Sequence, residues 1–258
     1  MFMRKMIYVV LTAGLAIGCS IKEDRNDCPS RLILDLSGVD TSFVKFLNIR
    51  AVLDGEVVLQ DKVSAIDFAH EYIADVPHGD LLVNVWGGGE GRASFNDGLI
   101  IPYGCECPPL YMHSFGADTR GESCRRVVEL CKNYCRLTVK MDGVDQIPYS
   151  LTFKGNVDGY MQDGLPSNGD FSCVAYPSGQ GESDALMPRQ LDSSLLLEVD
   201  DNSSVSKVFA IGEYISASGY DWTEKNLKDV TICLDFYVTD MKITVEGWDK
   251  EYIYDIIL

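Results

Sequence analysis

Leu137-Thr138-Val139-Lys140-Met141 alternates apolar and polar residues at a period of two, and Lys242-Ile243-Thr244-Val245-Glu246 repeats the pattern nearer the C-terminus. Successive side chains of a strand leave on opposite faces, so each stretch buries one face of a sheet and wets the other. Working outward, the same reading predicts strands over 31–36, 44–53, 56–60, 70–76, 81–86, 136–141, 150–153, 195–199, 230–238 and 242–248. Asp54-Gly55, Asp97-Gly98, Asp142-Gly143, Asp158-Gly159, Asp163-Gly164 and Asn168-Gly169 punctuate the chain. These dipeptides tolerate positive φ and favour tight hairpin turns. No segment offers a long, capped amphipathic helix; the best helical candidates are Ser123 to Leu130, which also reads as strand, and a turn around Trp222 to Leu227. Many short strands with frequent turns predict an all-β chain built of sandwiches. A polar, glycine-bearing run from Gly116 to Ser123 predicts a boundary, giving domains over 28–120 and 121–258, each large enough to hold a core. No repeat at a period of 20 to 50 residues is visible.

The N-terminus predicts export. Arg4 and Lys5 precede an apolar run from Met6 to Ile17, and Gly18 stands immediately before Cys19. The run is about a dozen residues, short of the roughly 20 that span a bilayer as a helix, and fits a secretory signal over 1–18. Ala16-Ile17-Gly18-Cys19 resembles the lipobox of bacterial lipoproteins, which implies cleavage before Cys19 and covalent lipid on its thiol. The alternative is an ordinary signal peptide whose cysteine joins a disulfide. Residues 19–27 then form a polar tether, in which Lys22-Glu23-Asp24 resembles the short signal for surface export in Bacteroidetes-type bacteria.

Charge and motifs narrow the function. A formal net charge of −17 repels phosphate backbones, so nucleic acid is not expected as a partner. Besides Cys19, eight cysteines remain: Cys28, Cys105, Cys107, Cys124, Cys131, Cys135, Cys173 and Cys233. Their spacing lacks the paired Cys-x₂-Cys of zinc sites, so disulfides or buried thiols are expected ahead of a metal. His70, His78 and His113 lie in no His-Glu-x-x-His motif, and no Gly-x-Ser-x-Gly elbow is present. Gly87-Gly88-Gly89-Glu90-Gly91 follows a strand but lacks the Lys-Ser/Thr of a phosphate loop. Asp200-Asp201-Asn202-Ser203 misses the spacing of a calcium loop. Trp86, Trp222 and Trp248 could supply a sugar platform, yet their positions suit core or rim packing. Neither an enzyme nor a small-molecule substrate is expected, and no cofactor beyond the lipid.

Several ordered motifs carry a family resemblance. They are Asp27-Cys28-Pro29, the run from Val76 to Gly88 with its Pro77, Gly79 and Trp86, and Cys135-Arg136-Leu137-Thr138-Val139. Gly212-Glu213-Tyr214-Ile215, Gly219-Tyr220-Asp221-Trp222, Asp229-Val230-Thr231-Ile232 and Val245-Glu246-Gly247-Trp248 follow. In this order, after a lipobox, the chain resembles the fimbrillin-associated anchor family, the lipoprotein base subunits of type V fimbriae in Bacteroidales. The resemblance implies two tandem transthyretin-like Greek-key β-sandwich domains, lipid-mediated attachment to the outer membrane at the cell surface, and fimbrial stalk subunits as partners. It implies joining by strand addition, in which backbone hydrogen bonds fill a neighbour's open groove. The tail Tyr252-Ile253-Tyr254-Asp255-Ile256-Ile257-Leu258 is β-prone, nearly uncharged and hazardous if left unpaired. It is therefore the candidate donor strand, with pairing inside its own domain as the alternative. A surface glycan-binding lipoprotein is the rival class.

Overall fold

Asp54 and Gly55 hold φ values of 51° and 86°, so the chain reverses tightly between two strands whose apolar residues can then share one face. The computed structural model describes residues 28–68, 71–88, 98–142, 150–178, 181–200, 207–235 and 240–255. The expected secretory segment 1–18, the expected tether from Cys19, His70, Asp201 to Ser203, Ile256 to Leu258 and most of the Gly87 to Gly91 loop lie outside them.

The first half comprises β1 (Ser30–Asp35), β2 (Phe46–Leu53), β3 (Glu56–Ser64), β4 (Glu71–Val76), β5 (Asp80–Gly87), β6 (Gly98–Ile100), β7 (Tyr111–Asp118), β8 (Ser123–Val127) and β9 (Cys131–Lys132). The second comprises β10 (Tyr134–Asp142), β11 (Ser150–Met161), β12 (Pro166–Ala175), β13 (Glu182–Pro188), β14 (Leu196–Asp200), β15 (Lys207–Phe209), helix α1 (Ile211–Ala217), β16 (Val230–Asp235), β17 (Asp240–Val245) and β18 (Glu251–Asp255). The chain is all-β apart from short helical pieces, and its sheets pack as sandwiches, as the alternating pattern predicts.

In the first half a sheet of order β4-β1-β8 faces one of order β3-β2-β5-β7-β9; in the second, β13-β10-β16-β17-β18 faces β12-β11-β14-β15. Stripped of additions, the halves share one plan. β1 lies between antiparallel β4 and parallel β8, as β10 lies between antiparallel β13 and parallel β16. The facing sheets β3-β2-β5-β7 and β12-β11-β14-β15 match pair for pair, all antiparallel. Each half closes on its own core. Leu32, Leu34, Leu47, Ile49, Val83 and Val85 pack inside the first, whereas Leu137, Val139, Phe153, Leu197, Ile232 and Ile243 pack inside the second. Full burial of one such side chain contributes about 1.5–3 kcal/mol, which the alternation delivers at every second residue.

Several expectations are corrected. The predicted boundary between residues 120 and 121 cuts off β8, yet β8 pairs along β1 from Arg31↔Ser123 to Asp35↔Val127. The residues from Ser123 to Lys132 therefore belong with the first half, and sheet membership changes at Asn133. Asp158-Gly159 and Asn168-Gly169 are not turns; they lie within β11 and β12, where the register shifts near Gly159. A Cβ on Gly159 would stand 1.9 Å from the carbonyl oxygen of Leu99, so glycine there admits β6, which pairs with β11 and stitches the halves together. Asp163-Gly164 does form the turn between β11 and β12. Ser123 to Leu130 contributes a strand, and around Trp222 to Leu227 there is a turn and no helix; among the described residues the α-helix is α1. It escapes the sequence reading because it is seven residues long and Ala210 supplies no side-chain cap. Gly212 lets it press onto the backbone of Ser193 to Leu195.

Candidate functional site

The C-terminal segment forms a real strand. β18 pairs antiparallel with β17, from Thr244↔Glu251 to Asp240↔Asp255, so Tyr252 to Asp255 are hydrogen-bonded inside their own sheet. Alternation divides the side chains. Tyr252 and Tyr254 turn toward the core, with Tyr252 beside Trp248 and Tyr254 beside Tyr214 at ring separations of 6.2 and 5.2 Å. Glu251, Ile253 and Asp255 face outward, and Glu251 meets Lys242 of the neighbouring strand at 2.7 Å. Ile253 is 65% exposed. β18 ends the sheet order, so among the described residues its second backbone edge is unpaired.

A second feature lies where the halves meet. A cleft of about 430 Å³ is lined from the first half by Met112, His113 and Cys131, and from the second by Leu165, Arg189 and Trp222, among others. Arg189 organises it. Its Nη1 donates to the carbonyls of Trp222 and Glu224 at 2.5 and 2.6 Å, and Nη2 donates to Asn133 Oδ1 and the Lys225 carbonyl at 3.2 and 3.4 Å. The planar fork of arginine reaches several acceptors at once, and here it ties the loop 222–225 to the residue where sheet membership changes. Tyr160 braces the same place, its hydroxyl accepting from Arg189 N at 3.0 Å and donating to the Asn133 carbonyl. Lys225 reaches Glu129 at 2.6 Å and Lys132 reaches Asp229 at 2.5 Å, adding two ion pairs between the halves.

The polar groups of the cleft serve one another. His113 Nδ1 accepts from the backbone N–H of Glu129 at 3.1 Å, which leaves Nε2 carrying the proton in the neutral ring. Burial and then the nearby Lys225 lower its pKa. Cys131 donates to the Glu129 carbonyl at 3.4 Å, and burial raises its pKa.

The remaining sequence candidates are dispersed. Trp86 is buried with Leu99, Leu110, Met112 and Tyr160, while Trp222 is buried edge-on against Tyr220. Trp248 is half-buried beneath Lys228, whose ammonium stands 5.4 Å from the ring centre. No shared aromatic platform results. His78 bonds the Thr119 carbonyl at 2.7 Å and is a structural turn residue. The eight cysteines after Cys19 are free thiols, not bridges. Cys107, Cys135 and Cys173 are buried in the second core, where burial pushes Cys135 and Cys173 up to about 12. The arginine hub was not anticipated; a lone Arg after Pro188 carries no motif that would mark it.

This combination of two-sheet sandwiches in tandem defines the architecture with which the chain is compared. No protein-family model and no curated protein matches it. Among solved structures, its fold is similar to that of the fimbrial anchor protein Mfa2 from Porphyromonas gingivalis, with a TM-score of 0.61 and 13% identity over 86% of this chain and 98% of that one. It is also similar to a Bacteroides thetaiotaomicron protein provisionally named for polysaccharide binding, with a TM-score of 0.65 and 12% identity over 88% and 98% of the two chains. A Bacteroides ovatus protein provisionally named an adhesin gives a TM-score of 0.62 and 11% identity over 88% and 95%. At these identities the likeness is one of fold.

Proposed function

We propose that the chain is the lipid-anchored base subunit of a surface fimbrium, held in the outer membrane through Cys19 and joined to a stalk subunit through its C-terminal strand. The observation that carries this reading is the open edge of β18, with exposed Ile253, at the opposite end of the sequence from the lipidation motif. The fold shared with Mfa2 across nearly the whole chain supports it. A strand with one free edge joins a neighbour's sheet by backbone hydrogen bonds, with side chains entering pockets at alternate positions. Because β18 already pairs with β17, Tyr252 to Leu258 would act as a strand shared between two sheets. The two or three acyl chains of a bacterial lipoprotein bury enough CH₂ groups, at about 0.8 kcal/mol each, to make release from the membrane very slow. The rival glycan-binding reading calls for an exposed aromatic platform, whereas Trp86 and Trp222 are buried.

The test is an affinity pull-down from outer membranes, comparing wild type with Cys19→Ala. Recovery of fimbrial subunits with the wild type, and their shedding into the medium with the variant, is expected. Recovery of none overturns the reading. Ile253→Lys, which leaves Tyr252 and Tyr254 packed against the core, is expected to abolish recovery while near-ultraviolet circular dichroism stays native.

A further inference from the structure

His113 stands in β7 on the wall of the junction cleft. Its Nδ1 accepts from the backbone N–H of Glu129 at 3.1 Å, which pins the stretch 128–131 that leads from β8 into β9. The side chain of the same Glu129 reaches across the junction and meets Lys225 of the second half at 2.6 Å. One residue is thus held by the ring through its backbone and holds the other half through its carboxylate. Cys131 closes the stretch by donating to the Glu129 carbonyl at 3.4 Å.

We propose that His113 is a pH-operated latch on the junction: its neutral ring keeps Glu129 where the carboxylate reaches Lys225, and its protonated ring frees 128–131 and slackens that tie between the halves. The logic is one of donors and acceptors. A neutral imidazole has one acceptor nitrogen, and here it faces an N–H. An imidazolium carries a proton on both nitrogens, so two donors would face each other and the bond is lost. The charged and titratable groups that share the cleft wall with the ring are Lys225 and Arg189 of the second half, Asp163 of the turn between β11 and β12, and Cys131, with Glu129 bonded to Nδ1. Burial and then Lys225 lower the pKa of the ring from 6.5, against an opposing pull from Glu129. The bond and charge of Lys225 lower the pKa of Glu129, whereas burial raises that of Cys131 and the Glu129 contact raises that of Lys225. As a mildly acidic solution charges the ring, the carboxylate and the ammonium therefore keep their charges and the thiol stays neutral. A histidine bound in this way turns acidity into a change of packing at an interface.

Hydrogen–deuterium exchange of the full chain in detergent tests this from about pH 7.5 to about pH 4.5, read as protection factors so that the intrinsic pH dependence of exchange is divided out. Two variants bracket the ring. His113→Asn keeps an amide oxygen near the Nδ1 position and does not titrate, whereas His113→Leu keeps the bulk and offers no acceptor. On acidification the wild type is expected to lose about fivefold protection at 128–131, the factor that one ordinary hydrogen bond represents, with 222–226 losing protection in step. The Asn variant is expected to stay protected throughout, and the Leu variant to be deprotected at every pH while its near-ultraviolet circular dichroism stays native. Unchanged protection in the wild type, or an equal change in the wild type and the Asn variant, overturns the proposal. Loss at 128–131 with 222–226 unmoved overturns it too, because the ring would then pin the crossing without governing the junction.

Discussion

The first and second sandwiches set five strand pairings in the same arrangement, yet one leaves β8 at its margin with an arginine in the core row, and the other extends β16 with two further strands. Strand order follows from apolar alternation and from which strands can reach one another. The margin is a separate decision, written in a few residues. Val230, Ile232 and Leu234 make the β16 edge greasy enough to require cover, whereas at the β8 margin Cys124 is buried in the core and the charged Arg126 is exposed. A shared plan thus yields two margins of different make, one carried outward to β18, the other ending at β8 among the described residues.

The comparison can be broken most forcefully at the sealed edge. Ile243→Ala empties a fully buried position and is expected to cost about 2–5 kcal/mol, read as a lower urea midpoint at unchanged slope. Less damaging is Arg189→Met at the junction, which removes four hydrogen bonds from a partly exposed guanidinium; a loss of about 2 kcal/mol is expected in the same measurement. Arg189→Lys should not rescue it, because a single ammonium lacks the planar fork. A smaller effect should appear on acidification. His113 has a lowered pKa when folded, so the unfolded chain binds more protons as pH falls below about 6.5, the unperturbed value, and stability drops through that window until the folded pKa is passed. Thermal melts from pH 7.5 to 5 should show this slope, and His113→Gln should flatten it. Smallest of all is Val127→Ala on the open edge, expected to shift stability by under about 0.5 kcal/mol in urea melts. A large loss there would mean that β8 is not a free margin.

Much of this arrangement was legible beforehand. Period-two stretches such as 137–141 and 242–246 became β10 and β17, and Tyr252 to Asp255 of the C-terminal tail lie in β18. What misled was glycine. Asp158-Gly159 and Asn168-Gly169 have turn composition, but a strand also needs glycine where another backbone approaches, and that approach, here Leu99 against Gly159, is made by residues far away in the sequence. The strands β7, β12 and β13 were missed because His113, Pro166, Gly169 and Pro188 dilute their alternation; β12 and β13 lie at sheet edges, where proline and glycine are tolerated. The arginine hub was invisible for the same reason as the β6 stitch, since Asn133, Arg189 and 222–225 converge only after folding.

By itself the sequence determined the all-β class and the principal strands, because alternation is a local property. Only the tertiary structure decided that the halves repeat one strand plan, that sheet membership changes at Asn133, and that β8 and β18 are among the strands at sheet edges. Those are facts of pairing between distant segments. Backbone hydrogen bonds carry no side-chain signature, so which strand lies beside which, and which has no neighbour, is settled only when the chain has closed.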